Sequence, residues 1–306
     1  MTLDRSHLEY PLRRRGMDHD RYQWSMLVDR PPIAWPNGAP LAVWINVSLQ
    51  HFPLDQRGEP FPPPGGLTMP YPDLRHYTLR DYGNRVGIFR VLEALSRHQA
   101  TASFAVNGEL AERYPSLLRR VAETGEVLAH GWNMDCPHFG GMGEDNEKEL
   151  IDRTAKALRR ASGQEVRGWL GPGRNESENT PELLKQAGFS FLCDWVNDDL
   201  PYMFTTKQGA LTALPLSTEL EDRFILQNNL HSEESWVEQI CDACDFLYEE
   251  AEREGGRLLA LSIHPWLIGQ PHRIRSFESV LQHIMSKPAI WSAAPGEIVE
   301  HWLAQQ

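Results

Sequence analysis

Residues 41–47 read LAVWINV, an apolar run of strand length that follows the turn-forming residues Pro36, Asn37 and Gly38. A short apolar run without strict alternation is typical of a strand that is buried on both faces, as the strands of parallel sheets are. Residues 257–263, which read RLLALSI, have the same character near the other end of the chain. Together the two segments predict a parallel sheet that is covered by helices.

Strand-like runs alternate with stretches in which apolar residues recur every third or fourth position, as in Val86, Phe89, Leu92 and Leu95. The predicted strands are 41–47, 101–106, 127–129, 166–170, 189–193, 211–216, 223–227, 257–263 and 289–292. The predicted helices begin near residue 84 and then cover 109–123, 144–161, 180–187, 235–254, 273–286 and 295–303. This alternation predicts an α/β fold, and about seven β/α units favour a barrel over an open sheet.

The chain shows no internal repeat, so residues 41–306 are predicted to form a single barrel domain preceded by an N-terminal arm, residues 1–40. Residues 51–83 form a long polar stretch with seven prolines between Pro53 and Pro72. A connection of this length is either functional or disordered, and its rings and prolines favour an ordered flap. The candidate flap residues, which would cover a substrate or contact another subunit, are 62–66, Tyr71, His76, Tyr77 and Tyr82.

The composition excludes several classes of partner. The 306 residues include 30 Lys and Arg against 42 Asp and Glu, so the formal net charge is −12. Nucleic acids and anionic membrane surfaces require a basic patch, and no apolar stretch reaches the ~18 residues of a membrane span. The charged N-terminus does not resemble a secretory signal, and four cysteines do not suggest a disulfide framework. We therefore expect a cytoplasmic protein, with Cys241 and Cys244 acting as small apolar side chains on one helix face.

Functional groups of barrels of this type lie just beyond the C-terminal ends of the strands. In this chain those positions hold histidines, carboxylates, amides, an arginine and tryptophans, a concentration that indicates one polar site. The side chains in question are Asn46, Ser48, Gln50 and His51 after the first strand, His130, Trp132, Asp135 and His138 after the third, Arg174 after the fourth, Asp194, Trp195, Asp198 and Asp199 after the fifth, and His264 after the strand at 257–263.

Several of these segments carry a resemblance to a known family. The chain resembles the polysaccharide deacetylase superfamily, and within it the branch of allantoinases and cyclic-imide hydrolases. The resemblance implies a deformed (β/α) barrel and hydrolysis of a carbon–nitrogen bond other than a peptide bond, in a sugar acetamide or a ring amide. It rests on DYGNRVGIFR (81–90), TASFAVNGELAERYP (101–115), GEVLAHGW (125–132), GWLGPGRNESENTPELL (168–184), DDLPY (198–202) and LSIHPWLIGQPHRI (261–274).

The chain departs from the zinc-dependent members of that superfamily at the metal ligands. Those members carry an aspartate pair after the first strand, where this chain reads Asn46-Val-Ser-Leu-Gln50. They also carry two histidines four residues apart, whereas His130 is followed by Met134, and a thioether is a poor ligand for zinc. The resemblance to the allantoinase-like branch, whose members act without metal, therefore predicts no metal cofactor. An atypical site for zinc or another divalent ion at His130, Asp135 and His138 is the alternative.

The resemblance also implies roles for individual residues. His264 occupies the place of the catalytic-acid histidine, Asp194 that of an acid that orients a histidine, and Trp195 that of an aromatic pocket wall. Asp199 is a second candidate for holding a histidine's tautomer.

The chemistry of the remaining side chains suggests how they would contribute. His130 is predicted to be a second polar anchor, and Arg174 with Gln50 or Asn46 to donate hydrogen bonds to the substrate and the developing oxyanion. Trp132 and Asp135 are predicted to line the pocket.

The resulting hypothesis is a metal-independent hydrolase that opens a cyclic amide or ureide, with a small molecule as its substrate and a homo-oligomer as its quaternary state. Two alternatives remain open. One is a metal-dependent carbohydrate N-deacetylase with the atypical site, and the other is a noncatalytic member that binds a ligand. Bound metal distinguishes the first alternative, and ligand binding without hydrolysis distinguishes the second.

Overall fold

One curled sheet of nine strands organises the structure, a computed structural model that describes residues 19–56, 61 and 72–306. Its strands follow the order β6-β7-β5-β4-β3-β2-β1-β8, with β9 pairing beside β1; all neighbours are parallel except the β6–β7 hairpin. The ends of this path, β6 and β8, are not paired with each other in the described residues, so the barrel is open on one side. The predicted deformed (β/α) barrel is confirmed. The strands are β1 Leu41–Leu49, β2 Ala102–Val106, β3 Glu126–Ala129, β4 Gly168–Trp169, β5 Phe191–Leu192, β6 Tyr202–Thr206, β7 Gly209–Ala213, β8 Arg257–Ile263 and β9 Trp291–Ser292.

The helices that connect these strands pack mainly on the outside of the sheet. They are α1 Leu74–Tyr82, α2 Ile88–Arg97, α3 Gly108–Arg113, α4 Pro115–Ala122, α5 Glu144–Ser162, α6 Thr180–Gln186, α7 Glu233–Glu254, α8 Ile274–Met285 and α9 Pro295–Leu303, with π-helical segments at Gly83–Gly87 and Arg223–Asn228. None of the helices in the described part of the chain has an apolar stretch of membrane-spanning length.

Strand β1 lies at the centre of the molecule because both of its faces are buried. Its odd-numbered residues, from Leu41 to Leu49, join the apolar core between the sheet and the outer helices. Its even-numbered residues face the barrel interior, where Ala42 and Trp44 belong to a second apolar cluster. Because side chains alternate along a strand, Asn46 and Ser48 project to the same interior side.

The interior of the barrel changes from apolar to polar along the strand direction. Its lower part is filled by Trp44 and Phe191 and closed by Ile298 and Trp302 of α9. The indole N–H of Trp44 donates to Ser103 Oγ at 2.8 Å, which marks the first polar layer. Every further interior position of β1 is polar, so the polar side chains meet at the C-terminal ends of the strands.

Helix α5 fixes the loops that follow β3 and β4. Acidic residues in its first turn, arginines in its last turn and Gly163 in the left-handed conformation beyond its end match the helix dipole and the usual helix stop. The buried Glu147 of α5 accepts a hydrogen bond from His138 Nδ1 at 2.9 Å and further bonds from the hydroxyls of Ser177 and Thr180. The two loops are thereby held by one carboxylate.

The structure corrects four details of the sequence interpretation. Part of the predicted 51–83 loop is helix α1, and the single helix predicted at 109–123 is two helices that meet at Tyr114 and Pro115. Strand β6 was missed, and the segment predicted as a strand at 223–227 is a π-helical turn. The candidate flap residues 62–66 and Tyr71 lie outside the described residues.

The close approach of β4 to its neighbours leads to a stability prediction. A Cβ atom on Gly168 would lie 2.3 Å from the ring of Phe191 and 2.5 Å from Leu128. We expect Gly168→Ala to lower the free energy of unfolding by ~1–3 kcal/mol because the core is overpacked. Gly140→Ala is the control, since its Cβ would meet no atom nearer than 3.6 Å. Urea denaturation of both variants measures the difference, and equal stabilities would contradict the packing described here.

Candidate active site

A small polar cavity lies at the C-terminal ends of β1, β3, β4 and β8. The register of the sheet brings these ends together: Val47 of β1 is level with Ile263 of β8, and Ala129 of β3 is level with Trp169 of β4. The residues that follow these strand ends therefore line one common cavity. The lining residues are Ser48, Gln50, His130, Leu170, Gly171, Gly173, Arg174, Glu221, Arg223, Ser262 and His264.

The imidazole of His264, at the end of β8, is held by the carboxylate of Asp222. His264 Nδ1 lies 2.7 Å from Asp222 Oδ1, and the backbone N–H of His264 donates to Asp222 Oδ2 at 2.8 Å. Both side chains are buried. Because Oδ2 already accepts the backbone N–H and Oδ1 faces the ring, Nδ1 carries the hydrogen. Nε2 is then the ring atom that faces the cavity.

Glu221 lies between two guanidinium groups beside His264. Its Oε2 accepts from Arg174 Nη1 at 2.8 Å, and its Oε1 accepts from Arg223 Nε at 3.0 Å. Its Oε1 is also 3.6 Å from His264 Nε2. Burial alone would raise the pKa of Glu221, but the charges of Arg174, His264 and Arg223 outweigh it and lower the pKa to about 2. A carboxylate with so low a pKa stays ionised at neutral pH and is a poor proton acceptor.

Arg174 enters the cavity from a strained turn. The 3-10 turn Pro172–Arg174 follows β4, and Arg174 itself has a φ of 57°, a value that side-chain-bearing residues rarely adopt. The neighbouring Gly173 has a φ of 68° and packs against the ring of Phe61. Arg174 Nε is buried and has no hydrogen-bond partner among the described residues. Strained backbone of this kind is concentrated at functional sites, and here it positions a residue whose Nε–H is an unused donor in the described part of the chain.

A third arginine lies behind the acidic pair. The guanidinium of Arg80 packs 3.8 Å above the ring of Trp266 and 4.6 Å from that of Phe52. Burial and the charge of Arg223 lower the pKa of Arg80 to about 9, while the charge of Asp222 opposes that shift. Arg80 thus adds a third guanidinium group beside Arg174 and Arg223, although it does not itself line the cavity.

His130 is fully engaged by its neighbours. Its Nδ1 donates to the carbonyl oxygen of Leu170 at 2.7 Å, so its Nε2 is left to accept from Gln50 Nε2 at 3.2 Å. Burial lowers the pKa of His130 to about 4, and the charges of His264 and Arg174 act in the same direction against the bond to Leu170. The ring is therefore neutral at physiological pH.

The structure brings some of the predicted site residues together and separates others. His264, His130, Arg174 and Gln50 share the cavity. Asn46 lies one layer deeper, where its amide donates to Ser48 Oγ at 3.2 Å and accepts from Ser103 Oγ at 3.2 Å.

The prediction that Asp194 or Asp199 holds the tautomer of a histidine is wrong, since Asp222 contacts His264. Asp194 accepts the backbone N–H of Gly171 at 2.7 Å. Its pKa is raised by burial and by the neighbouring Glu176 carboxylate. Asp199 is solvent-exposed and does not line the cavity.

Trp195 and Asp194 line an adjoining cavity instead. Trp195 donates to Glu176 Oε2 at 3.0 Å and packs edge-on against Tyr22 of the N-terminal segment. Burial raises the pKa of Glu176 to about 7. Arg174 lines both cavities. The adjoining cavity is lined by Tyr22, Arg174, Glu176, Asp194, Trp195, Val196 and Asn197.

Two predicted pocket residues lie elsewhere. Trp132 is a core residue whose ring carries the guanidinium of Arg153 at 3.6 Å. Asp135 lies in the turn after β3, where its backbone N–H donates to Asn133 Oδ1 at 2.9 Å, and it lines neither cavity.

The most important residues missed in the sequence are Glu221, Asp222 and Arg223. They follow β7, and the interpretation of 223–227 as a strand concealed them. A usable signal was present, because two adjacent carboxylates followed by an arginine come shortly after a predicted strand end.

Comparisons with known proteins identify the fold family. Residues 77–192 match the family model described as polysaccharide deacetylase. The resemblance stated from the sequence motifs is confirmed.

Similar proteins match nearly the whole chain. A Schizosaccharomyces pombe protein named as a polysaccharide deacetylase is 28% identical over 91% of this chain and 94% of its own length. Two crystal structures, each 24% identical, cover 92% of this chain and 98% of their own chains. They are Puue allantoinase, with a TM-score of 0.81, and a polysaccharide deacetylase-type protein of Pseudomonas aeruginosa PAO1, with a TM-score of 0.79. The structural matches establish the shared fold.

The strand-end residues do not fit the zinc site of metal-dependent polysaccharide deacetylases. His130 Nε2, the ring atom left to bind a metal, faces an amide N–H of Gln50. Met134, at the position of the second histidine, is buried in an apolar cluster with Phe52 and Phe61.

The atypical metal set is not assembled either. His138 is held by Glu147, and in the described residues the ligand atoms of His130, Asp135 and His138 do not come within 4.8 Å of one another. No step of the reaction is therefore assigned to a metal at this site.

The contact between Asp222 and His264 predicts a specific tautomer. We expect His264 to carry its neutral-state hydrogen on Nδ1 in the wild-type protein. In Asp222→Asn the amide oxygen would accept the backbone N–H and the NH₂ group would donate to Nδ1, which forces the hydrogen onto Nε2. Imidazole ¹⁵N chemical shifts distinguish the two forms. Asp198→Asn is the control, since Asp198 pairs with Arg30, and an Nε2–H tautomer in the wild type would overturn the assignment.

The neutral state of His130 predicts a dependence of stability on pH. In the unfolded chain its pKa returns to about 6.5, whereas the folded value is about 4. Between pH 4 and pH 6.5, His130 is therefore protonated in the unfolded state but neutral in the folded state. The free energy of unfolding should therefore fall as pH decreases through this window, by up to ~3 kcal/mol.

Urea denaturation at pH 7 and pH 4.5 tests this dependence. We expect the wild type to lose more stability than His130→Gln, whose amide can still donate to the Leu170 carbonyl. An equal loss in both proteins would show that His130 does not resist protonation.

Proposed function

We propose that the protein is a hydrolase that opens a carbon–nitrogen bond in a cyclic amide or ureide without zinc at the strand ends. The observation that carries the proposal is the buried His264–Asp222 pair beside a polar cavity that lacks the second histidine and the carboxylate of a zinc site. Hydrolysis requires a group that activates water, donors for the oxyanion and an acid for the leaving nitrogen. The cavity contains candidates for all three.

His264 is the proposed acid and base. Its Nε2 would accept a proton from water as the water oxygen attacks the carbonyl carbon, because histidine is the side chain that most often acts as a general base in enzymes. Asp222 would keep the ring oriented and stabilise the imidazolium that forms. Glu221, whose Oε1 is 3.6 Å from Nε2, would add a second stabilising charge. Neither the ionised Glu221 nor the engaged His130 is as well suited to accept the proton.

Arg174 is the proposed binding group for the developing oxyanion. Its buried Nε–H has no hydrogen-bond partner among the residues that the structure describes, while its Nη1 is fixed by Glu221. A donor that is positioned before the reaction typically contributes ~3 kcal/mol to the stability of such a transition state. In the final step the carbon–nitrogen bond would break as His264 returns its proton to the leaving nitrogen, which opens the ring.

A cyclic imide or ureide suits this apparatus for two reasons. Its carbonyl carbon is more electrophilic than that of a simple amide, so it needs less polarisation than a metal supplies. The cavity is also small, about 20 Å³, and its lining is largely buried, so it can receive a compact reacting group but not an extended sugar chain. We also propose a small-molecule substrate and a cytoplasmic location. We propose a homo-oligomeric state because the barrel domain is preceded by an N-terminal arm that could contact a second subunit.

Activity measurements on purified protein test this proposal. We expect hydrolysis of at least one compound among allantoin, hydantoin and simple cyclic imides, with N-acetylglucosamine oligomers as the competing substrate class. His264→Gln should lower kcat by ~10²–10⁴-fold, and Asp222→Asn should also lower it, because each removes part of the proton-transfer pair. His98→Gln, at the end of α2, is the control and should retain full activity.

Exhaustive chelation supplies the result that would overturn the metal-free mechanism. Turnover that disappears with the chelator and returns with zinc would contradict it. Tight ligand binding that is unchanged in His264→Gln, with no hydrolysis across the panel, would instead favour the noncatalytic alternative.

A further inference from the structure

A second group of potential metal ligands lies outside the strand-end cavity, between helices α7 and α8. In the described residues, Cys244, Asp245 and His283 are the one set of three whose ligand atoms all lie within 4.8 Å of one another. Cys244 and Asp245 belong to α7, and His283 belongs to the neighbouring α8. The helical spacing predicts Cys244 as a small apolar side chain, and it does not reveal His283 as a neighbour because residues 244 and 283 meet only in the folded protein.

We propose that Cys244, Asp245 and His283 form a binding site for a zinc-type divalent ion that links α7 to α8. Thiolate sulfur, imidazole nitrogen and carboxylate oxygen are the three ligand types that zinc accepts. The proposal does not depend on the proposed hydrolase function.

The geometry of the three side chains is close to that of a bound ion. His283 Nε2 lies 2.6 Å from Asp245 Oδ1, so these two side chains already converge. A zinc ion with bonds of ~2.0–2.3 Å needs ligand atoms roughly 3–4 Å apart. Small side-chain rotations would open this spacing without moving either helix, and ligands on packed helices are well positioned for a metal.

The site combines a buried floor with an open entrance. Cys244 is completely buried, whereas the side chains of Asp245 and His283 are 42% and 32% exposed. An ion can therefore enter from solvent and meet the Cys244 thiol below. Burial raises the pKa of this thiol to about 12, so the sulfur would release its proton to solvent as it binds the ion. The fourth position of a tetrahedral ion would be left to water.

The neighbouring ammonium group is compatible with an ion. Lys287 Nζ lies 2.7 Å from Asp245 Oδ1. A thiolate, a carboxylate and a neutral imidazole around Zn²⁺ sum to zero net charge, so Lys287 would not face a positive site. Glu249 of α7 adds a further negative charge that favours the Lys287 ammonium.

Metal titration of the full-length protein tests the proposal. Purified, reduced and metal-stripped protein is titrated with zinc in competition with a chromogenic chelator, and with Co²⁺ to detect thiolate-to-cobalt charge-transfer absorption. We expect one tight site, the charge-transfer band and a rise in Tm on zinc addition. His283→Ala and Asp245→Asn should each weaken zinc binding by more than the ~10-fold typical of a lost outer-sphere partner.

The variants are chosen so that loss of folding cannot imitate loss of binding. His283 and Asp245 are partly exposed, so their substitution should leave the apo-protein's Tm nearly unchanged. Cys244→Ala should abolish the charge-transfer band, and Asp242→Asn, on the same helix, should retain full affinity. The proposal would be overturned if the wild-type protein bound zinc no more tightly than His283→Ala and Cys244→Ala do.

The same variants separate this site from the catalytic mechanism. Repeating the chelator experiment in His283→Ala tests turnover in a protein that lacks the α7–α8 site. We expect Tm but not kcat to respond to zinc in the wild type. Loss of the zinc-dependent Tm shift with unchanged turnover would support a structural ion, whereas a Tm that does not respond to zinc in the wild type would overturn it.

Discussion

The paired hydrogen bonds from His264 to Asp222 are the interaction on which the rest of the site depends. They connect the end of β8 to the segment after β7, on the side where no strand of the described residues pairs β8 with β6. One carboxylate thus fixes the imidazole, its tautomer and the position of the neighbouring Glu221. Because Glu221 is the residue next to Asp222, this link also fixes the carboxylate that Arg174 and Arg223 contact. The Asp222 side chain therefore connects segments that the backbone hydrogen bonds of the sheet leave unconnected.

The strand-end cavity resembles a metal site in its position but not in its ligands. In metal-dependent relatives an ion would supply positive charge to polarise a carbonyl. Here the positive charge comes from Arg174 and Arg223, which are held by Glu221, and His130 is a neutral hydrogen-bonding residue. Below these groups lie the polar interior residues Ser103, Asn46 and Ser48, which belong to strands β1 and β2. At these strand ends the described residues form a network of one carboxylate, Glu221, and two guanidinium groups, those of Arg174 and Arg223.

The fold could be predicted from the sequence more completely than either of the two proposed sites. The apolar runs at 41–47 and 257–263 and the long amphipathic helices were enough to predict the parallel sheet and its barrel form. His264, His130, Arg174 and Gln50 were found because residues at strand ends occupy a position that every such barrel shares. Asp222 and Glu221 were missed because they lie in an irregular connection, where local pattern carries no information about distant partners. Asp194 was assigned to a histidine by resemblance, and it instead lies beside Glu176.

The sequence by itself determined the alternation of strands and helices, the burial of β1 and the missing zinc ligands, because periodicity and residue type are local properties of the chain. The tertiary structure alone decided which carboxylate holds His264, how Arg174 is aimed and that Cys244 meets His283. These are contacts between residues separated by tens of positions or more, and they depend on the register of the sheet and the packing of helices. Residue spacing along the chain does not encode such distances.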